Sequence, residues 1–294
     1  MKDKIVGFIG LGAIGLPIAA NLIKAGYHLQ VHTKSREAES DKRLNGSVSS
    51  VNPKEAANRC SFLFICVSDD EAVHDVLFGE NGAEEGLKEG SFIIDLSTIS
   101  PAKSRSLAKK FSEKNIYYID APVTGGTEGA KNASLTMFLG CDNKTLTCLF
   151  PLLKIISSNI YAFGSAGKGQ EVKAINQVLI AGTYASVAEA ISLGQYLDLD
   201  MEKVVKALKT GAASSWVLDN RSNSMIADRY PLGFKLGLHH KDLSIAIELA
   251  QNLGLELPLT SIVKDIERKL ILEGYSELDL SVLKRSFIKR NFVE

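Results

Sequence analysis

The run Gly7-Phe8-Ile9-Gly10-Leu11-Gly12-Ala13-Ile14-Gly15-Leu16-Pro17 constrains this chain more than any other. Lys4 to Ile9 forms a short apolar strand pattern, and Ile14 to Ala25 has the spacing of an amphipathic helix closed by Gly26. Between them Gly10, Gly12 and Gly15 make a G-x-G-x-x-G turn. Strand, glycine turn and helix in that order are a dinucleotide-binding fingerprint; without that context the same glycines are an ordinary βα turn. Gly10 permits the tight turn, Gly12 lets the backbone approach a pyrophosphate, and Gly15 lets the helix pack on the strand. The stretch Gly10, Leu11, Gly12, Ala13, Ile14 and Gly15 is therefore expected to hold the cofactor, with the helix N-terminus facing its phosphates.

A second strand is expected at Tyr27 to His32, and the residues after it bear on which dinucleotide is held. A protein that uses NAD usually carries Asp or Glu there, about 20 residues past the glycines, to bond the ribose 2′-hydroxyl. Here the segment is His32-Thr33-Lys34-Ser35-Arg36, with no acid, two cations and two hydroxyls. A carboxylate would repel a 2′-phosphate, whereas Thr33, Lys34, Ser35 and Arg36 can bind one through charge-assisted bonds. The segment favours NADP(H) over NAD(H), against the plainer alternative of a solvated polar loop.

Ser61 to Val67 is a continuous apolar run of the kind found in central parallel strands. Ser68-Asp69-Asp70 follows at its carboxyl end, then a short helix from Glu71 to Leu77. Ser91 to Leu96 is the next buried strand, and Ser100-Pro101 opens a helix with a hydroxyl cap and a first-turn proline. Ile116 to Asp120 is another strand. The alternation implies an α/β fold with a doubly wound, mainly parallel, Rossmann-type sheet. A second glycine-rich loop follows, Asp120-Ala121-Pro122-Val123-Thr124-Gly125-Gly126-Thr127-Glu128-Gly129-Ala130. Its Thr124-Gly125-Gly126 turn either offers N–H groups to a carboxylate or is a structural turn before the strand Ser134 to Leu139.

From Gly167 the pattern changes to helix alone. One helical stretch runs to about Leu197, roughly 45 Å long at 1.5 Å per residue. Its Val172, Ile175, Val178, Leu179, Ile180, Val187, Ile191 and Leu193 lie on most faces, which predicts a buried helix. Further helices are expected at Met201 to Lys209, one or more short ones through Trp216 to Ala227, then Leu236 to Leu253 and Leu259 to Leu272. The sequence thus predicts a cofactor-binding domain over residues 1–164 and an all-α substrate and dimerisation domain over 165–294. So elongated a helical half calls for a second subunit, so a homodimer or homotetramer is expected. In the long helix Lys173 and Asn176 share a face. A lysine on a helix ordinarily snorkels or pairs with a carboxylate. One turn into the helix, directly after the domain junction, it falls where a substrate cleft is expected and becomes the leading catalytic candidate.

Global properties exclude several classes. With 34 basic and 34 acidic residues the net charge is zero, which gives no reason to expect nucleic acid or an anionic membrane as partner. No apolar run is long enough to span a bilayer and no signal segment precedes the first strand, so a cytoplasmic protein is expected. Cys60, Cys66, Cys141 and Cys148 form no C-x-x-C pair, and two of them lie in or beside an apolar strand, which suggests buried thiols in a reducing compartment. The scattered histidines suggest no metal site, and adjacent His239 and His240 should point in different directions on a helix.

Four segments together resemble the β-hydroxyacid dehydrogenase family, which includes 3-hydroxyisobutyrate dehydrogenases and glyoxylate/succinic semialdehyde reductases. They are Gly7 to Pro17, Asp120 to Gly126, Gly167-Lys168-Gly169-Gln170-Glu171-Val172-Lys173-Ala174-Ile175-Asn176, and Lys241-Asp242-Leu243 followed by Leu257-Pro258-Leu259. The resemblance implies an oxidoreductase that transfers hydride between NADP(H) and a small anionic hydroxy acid or aldehyde acid. It makes Lys173 the catalytic lysine and Asn176 a residue that orients substrate. It gives the substrate carboxylate to Thr124, Gly125 and Gly126, and places Thr98 near nicotinamide and substrate. Val67 and Ser68 would line the cofactor groove, Phe234 and Asp242 would close the site, and Lys241 would lie by the cofactor.

Departures from the family pattern are Ile14 for a frequent Met, Thr124 for Ser, and Gln177 for a frequent second Asn. Thr33-Lys34-Ser35 also stands where NADP-dependent relatives carry Asn-Arg-Thr, so charge is kept and the planar guanidinium is lost. Two other functions remain: an imine or other reductase on the same fold, against which Lys173 argues, and a non-catalytic NADP-binding protein.

Overall fold

The computed structural model describes residues 5–287. The chain divides into two compact units, Met1–Lys173 and Ala174–Glu294. The first unit runs β1 (Ile5–Ile9), α1 (Gly15–Lys24), β2 (His28–His32), β3 (Val48–Ser49), α2 (Pro53–Ala57), β4 (Phe62–Ile65), α3 (Asp70–Phe78), β5 (Phe92–Asp95), α4 (Pro101–Ser112) and β6 (Tyr117–Asp120). These strands form one sheet in the order β3-β2-β1-β4-β5-β6, every pair parallel. Strand order reverses between β1 and β4, which opens the crevice where ligands of such sheets lie, at the carboxyl ends.

The strand sequences explain the burial. Phe62–Ile65 is buried at every position because helices cover both sheet faces. Phe8 and Phe64 stack with centroids 5.7 Å apart in the core under α1. Burial of each such ring contributes about 2–3 kcal/mol. Ser100 caps α4 as expected, its Oγ accepting from Lys103 N at 3.2 Å.

A second, three-stranded sheet follows: β7 (Val123–Thr124), α5 (Gly126–Lys131), β8 (Leu135–Leu139), α6 (Asn143–Leu153) and β9 (Ser157–Ala162). β7 is antiparallel to β8, and β9 is parallel to it. β9 has no counterpart in the sequence reading. Its Ser-Ser-Asn start is polar and half its residues face outward, so the apolar signal is weak and pairing with β8 makes it a strand.

Helix α7 (Lys168–Tyr196) begins in the first unit and continues into the second. The second unit adds α8 (Met201–Leu208), α9 (Trp216–Ile226), α10 (Leu236–Gln251) and α11 (Pro258–Leu272). Its core gathers Ala181, Tyr184, Ala188 and Ile191 of α7 with Leu236, Leu243, Val263 and Leu270. The expectation of an α7 buried all round is corrected: Ile175, Leu179 and Leu193 are 62%, 67% and 61% exposed. Ala181, Tyr184, Val187, Ala188 and Ile191 form the packed face instead. No helix among the described residues is long and apolar enough to cross a membrane.

Candidate active site

The glycine turn leaves the carboxyl end of β1 with the geometry its spacing implies. Gly10 sits at φ +98°, and a Cβ there would meet the Cys66 carbonyl oxygen at 2.2 Å. A Cβ on Gly15 would meet the Gly10 carbonyl oxygen at 2.0 Å and the Phe8 ring at 3.2 Å, so only glycine lets α1 close on β1. Gly12 is the opposite case: nothing lies within 4 Å of its missing Cβ. Its backbone faces open space at the start of α1, whose N-terminus has no side-chain cap and no acid in the first turn. An open glycine, an uncapped positive helix end and the switch-point crevice together fit a dinucleotide pyrophosphate.

The loop after β2 departs from the expectation in one respect. Residues 32–36 carry no acid, but the chain folds back through a 3₁₀ turn at Glu37–Ser40 and delivers Glu39 to the same place. Its carboxylate accepts from Thr33 N at 2.9 Å and pairs with Arg36 at 3.1 Å. Arg36, at φ +62°, also reaches the Ser50 carbonyl and Ser49 Oγ. Its guanidinium is thus committed to closing the loop, while Lys34 and Ser35 are exposed. Thr33 Oγ1 lies 3.4 Å from Leu11 N, tying this loop to the glycine turn. A cavity of about 410 Å³ lies here, lined by Leu16, Ser35, Glu37, Ala38, Ser40 and Asp41.

At the ends of β4 and β5, Val67 N donates to Ser97 Oγ at 3.0 Å and Ser68 Oγ to Asp69 Oδ2 at 2.7 Å. Asp69 in turn caps α3 through Ala72 N. Thr98 follows β5 between two residues held by Gln170 of α7. Gln170 Nε2 donates to Ser97 O at 2.8 Å, and its Oε1 accepts from Ile99 N at 3.3 Å. Gln170 is 1% exposed and was missed in the sequence, where a glutamine in a helix carries no distinguishing signal.

Two buried carboxylates shape the same edge. Asp95 accepts from Ser97 N at 2.9 Å and Tyr118 OH at 2.6 Å; burial raises its pKa to about 6 despite those bonds. Asp120 accepts from Gly167 N at 2.8 Å and Gln170 N at 3.0 Å, holding the first turn of α7; burial raises its pKa as well. It thereby fixes the turn that precedes Lys173.

Lys173 is 6% exposed, and its Nζ donates to the Val123 carbonyl at 2.9 Å. The next residues are Thr124, paired with Thr136 in β7–β8, then Gly125 at φ +125° and Gly126 at φ +63°. Both residues take positive φ values, which a side chain with a Cβ would adopt only under strain. Asn21 of α1 donates to Ala130 O at 2.8 Å, bracing this loop's helix against the cofactor helix. The structure therefore brings together Lys173 and the Thr124-Gly125-Gly126 turn.

In the helical unit, Asn176 Nδ2 donates to Gln177 Oε1 at 2.8 Å, and Gln177 Nε2 to Asp242 Oδ2 at 2.7 Å. Lys241 Nζ lies 2.9 Å from Asp242 Oδ1. Phe234 and Gly233 donate their backbone N–H groups to buried Asp279 at 2.9 Å, and the Phe234 ring meets His239 edge-on with centroids 5.7 Å apart. His239 and His240 do not diverge as expected. Their Nδ1 atoms lie 2.6 Å and 3.8 Å from the two oxygens of Glu267, because α11 packs across both. All four cysteines are free, and burial pushes the Cys60 and Cys141 thiols up to about 12.

Comparison with known proteins agrees with this geometry. Residues 5–164 match the family described as the NAD binding domain of 6-phosphogluconate dehydrogenase. Residues 167–286 match the one described as NAD-binding of NADP-dependent 3-hydroxyisobutyrate dehydrogenase. The 2-hydroxy-3-oxopropionate reductase of Escherichia coli (strain K12) is 36% identical over 278 residues, 95% of each chain.

The chain belongs to the β-hydroxyacid dehydrogenase family.

Among solved structures, 3-hydroxyisobutyrate dehydrogenase from Salmonella typhimurium superposes with a TM-score of 0.87 at 27% identity, covering 96% of this chain and 99% of that one. Psf3 in complex with NADP+ and 2-OPP gives 0.89 at 26% identity, covering 96% and 100%. This hydroxyacid dehydrogenase relative is thus an oxidoreductase whose Rossmann-type unit takes a pyridine nucleotide.

Proposed function

We propose that the enzyme is an NADP-dependent 3-hydroxyacid dehydrogenase or semialdehyde reductase, acting on a small acid that bears a β-hydroxyl or an aldehyde. The observation that carries this reading is the bond from Lys173 Nζ to the Val123 carbonyl, 2.9 Å long, beside a turn of two positive-φ glycines. An ammonium held next to a glycine turn that can take a carboxylate suits a substrate with a carboxylate at one end and a reacting oxygen at the other.

Bound at the glycine turn, the nicotinamide cofactor supplies hydride for reduction and takes it up in oxidation. The remaining tasks fall to the chain. The Thr124-Gly125-Gly126 N–H groups hold the carboxylate, which fixes the reacting carbon and contributes by proximity. Thr124 adds a methyl that trims the space beside it. Lys173 as ammonium stabilises the developing alkoxide and gives it a proton; as a neutral amine it takes the hydroxyl proton in oxidation. Asn176 orients the substrate, Thr98 stands beside the reacting centre on the loop held by Gln170, Phe234 contributes an apolar wall and Lys241 a cation toward the cofactor. Val67 and Ser68 line the cofactor groove.

The NADP preference rests on Lys34 and Ser35, exposed after β2, with Thr33 beside them. Glu39 is a counter-argument that the geometry answers: its carboxylate is neutralised by Arg36 and turned to Thr33 N. A homodimer or homotetramer is supported by the apolar stripe of Ile175 and Leu179, continued by Leu259 and Ile262 of α11, all more than half exposed in the single chain. We place the protein in the cytoplasm.

The test is NADPH and NADH oxidation with a panel of small aldehyde acids, including glyoxylate and succinic, methylmalonate and tartronate semialdehydes. Turnover of at least one, with higher kcat/KM for NADPH, is expected. Tight NADPH binding without turnover of any would leave a non-catalytic NADP-binding protein. Turnover of a cyclic imine alone would leave an imine reductase.

A further inference from the structure

The helical unit contains a line of side-chain hydrogen bonds that has a direction. At one end Asp242, 3% exposed, has Oδ1 2.9 Å from Lys241 Nζ and Oδ2 accepting from Gln177 Nε2 at 2.7 Å. Gln177, 0% exposed, accepts at Oε1 from Asn176 Nδ2 at 2.8 Å. A carboxylate facing a lysine ammonium offers acceptors only. Gln177 must then turn its NH₂ to Asp242, which turns its carbonyl to Asn176. Asn176 must turn an N–H to Gln177, which sends its own Oδ1 the other way. Reversing either amide would set two acceptors or two donors face to face in a buried place.

Gln177 is also held from behind. Its main-chain carbonyl accepts from His239 Nε2 at 3.3 Å, while His239 Nδ1 lies 2.6 Å from Glu267 Oε1. Asn176 is half-buried, as is Lys241 at the far end, whereas Gln177, Asp242, His239 and Glu267 between and behind them are buried. The network therefore opens at Lys241, a fixed donor, and at Asn176, whose amide is the open end that the line orients.

We propose that Gln177 is a positioning residue, through which Asp242 fixes the Asn176 amide with its oxygen outward, as an acceptor for a substrate hydroxyl. The proposal rests on the reading that Asn176 orients substrate. It deepens that reading by stating which face of the amide is presented and what sets it. It also gives Gln177, where relatives often have Asn, the reach to join Asp242 to Asn176. Asp242 then acts on the reaction through another side chain.

The experiment is a double-mutant cycle on the full chain. Asn176→Ala, Gln177→Leu and the pair are assayed for kcat/KM with a turned-over hydroxy acid, alongside NADPH affinity and Tm. Gln177→Leu is expected to lower kcat/KM by up to about 100-fold, the cost of a misplaced orienting group, with NADPH affinity kept. Adding Asn176→Ala to it should lower kcat/KM little further. Independent, multiplying losses would overturn the proposal, as would a Gln177→Leu enzyme with wild-type kcat/KM. Failure of the underlying reading looks different: Asn176→Ala alone would leave kcat/KM unchanged.

A second pair keeps the test open if Gln177→Leu does not fold. Asn176→Asp with Asp242→Asn exchanges the two ends and reverses the two side-chain hydrogen bonds of Gln177; the ion pair with Lys241 is lost equally in the single Asp242→Asn. The exchanged protein should melt higher than the two single losses in Tm together would allow. Simple addition of those losses would overturn the proposal.

Discussion

The proposed preference for NADP falls on a single side chain. Lys34 is the exposed cation at the end of β2, since Arg36 is spent on Glu39, Ser49 and Ser50. Lys34→Asp should cost NADPH about 1.5–3 kcal/mol, the worth of a charge-assisted bond to phosphate, and NADH much less. Steady-state kcat/KM with both nucleotides checks this; an NADPH value that barely moved would take the phosphate away from Lys34. The cation itself was legible in the sequence, because it lies next to a strand end. Glu39 was not. It stands past the strand in a polar run, and only a fold-back turn returns it to Thr33 N. Gln170, and the bond of Gln177 to Asp242, escaped for the same reason, since an amide's role is set by partners far along the chain.

Elements form where local chemistry is strong. Strand β1, the glycine turn and α1 were readable because apolar run, glycine spacing and helical periodicity agree within one short segment. β9 was not, because its polar residues become a strand only against β8. The exposed face of α7 escaped too: apolar residues all round a helix say that it is covered, not by what. The carboxyl end of β5 gives a pH prediction. Asp95 has its pKa raised to about 6, chiefly by burial, against an ordinary value of 3.8. The folded state then holds a proton that the unfolded state has lost between those values. Stability should fall as pH rises from about 4 to about 6, by about 2–3 kcal/mol for this group, and stay level above. Thermal melts across that range should show the slope in the wild type and a shallower one in Asp95→Asn. Equal slopes would place the titration elsewhere. Ionised Asp95 is retained at neutral pH because it holds Ser97 N, at the head of the Thr98 loop.

At the scale of the whole molecule, two expectations join: the chain assembles through α7, and it moves a proton through the same helix. Ile175 and Leu179 lie one turn apart on its exposed face. Replacing both with Lys should shift the assembly toward monomer in sedimentation, since each buried leucine-sized side chain contributes about 1.5–3 kcal/mol per copy. An unchanged sedimentation coefficient would put the interface elsewhere. Lys173 stands at the start of this helix, with Asp120 fixing the turn before it and Val123 holding its ammonium. The most direct measurement is kcat of Lys173→Ala at saturating substrate, per folded molecule. A loss of about 10²–10⁴-fold is expected, with NADPH affinity nearly intact and no rescue by Arg, which keeps charge but does not readily release a proton. A Lys173→Ala enzyme with most of the wild-type kcat, and only a lowered Tm, would contradict the proton-transfer role and leave Lys173 a structural lysine.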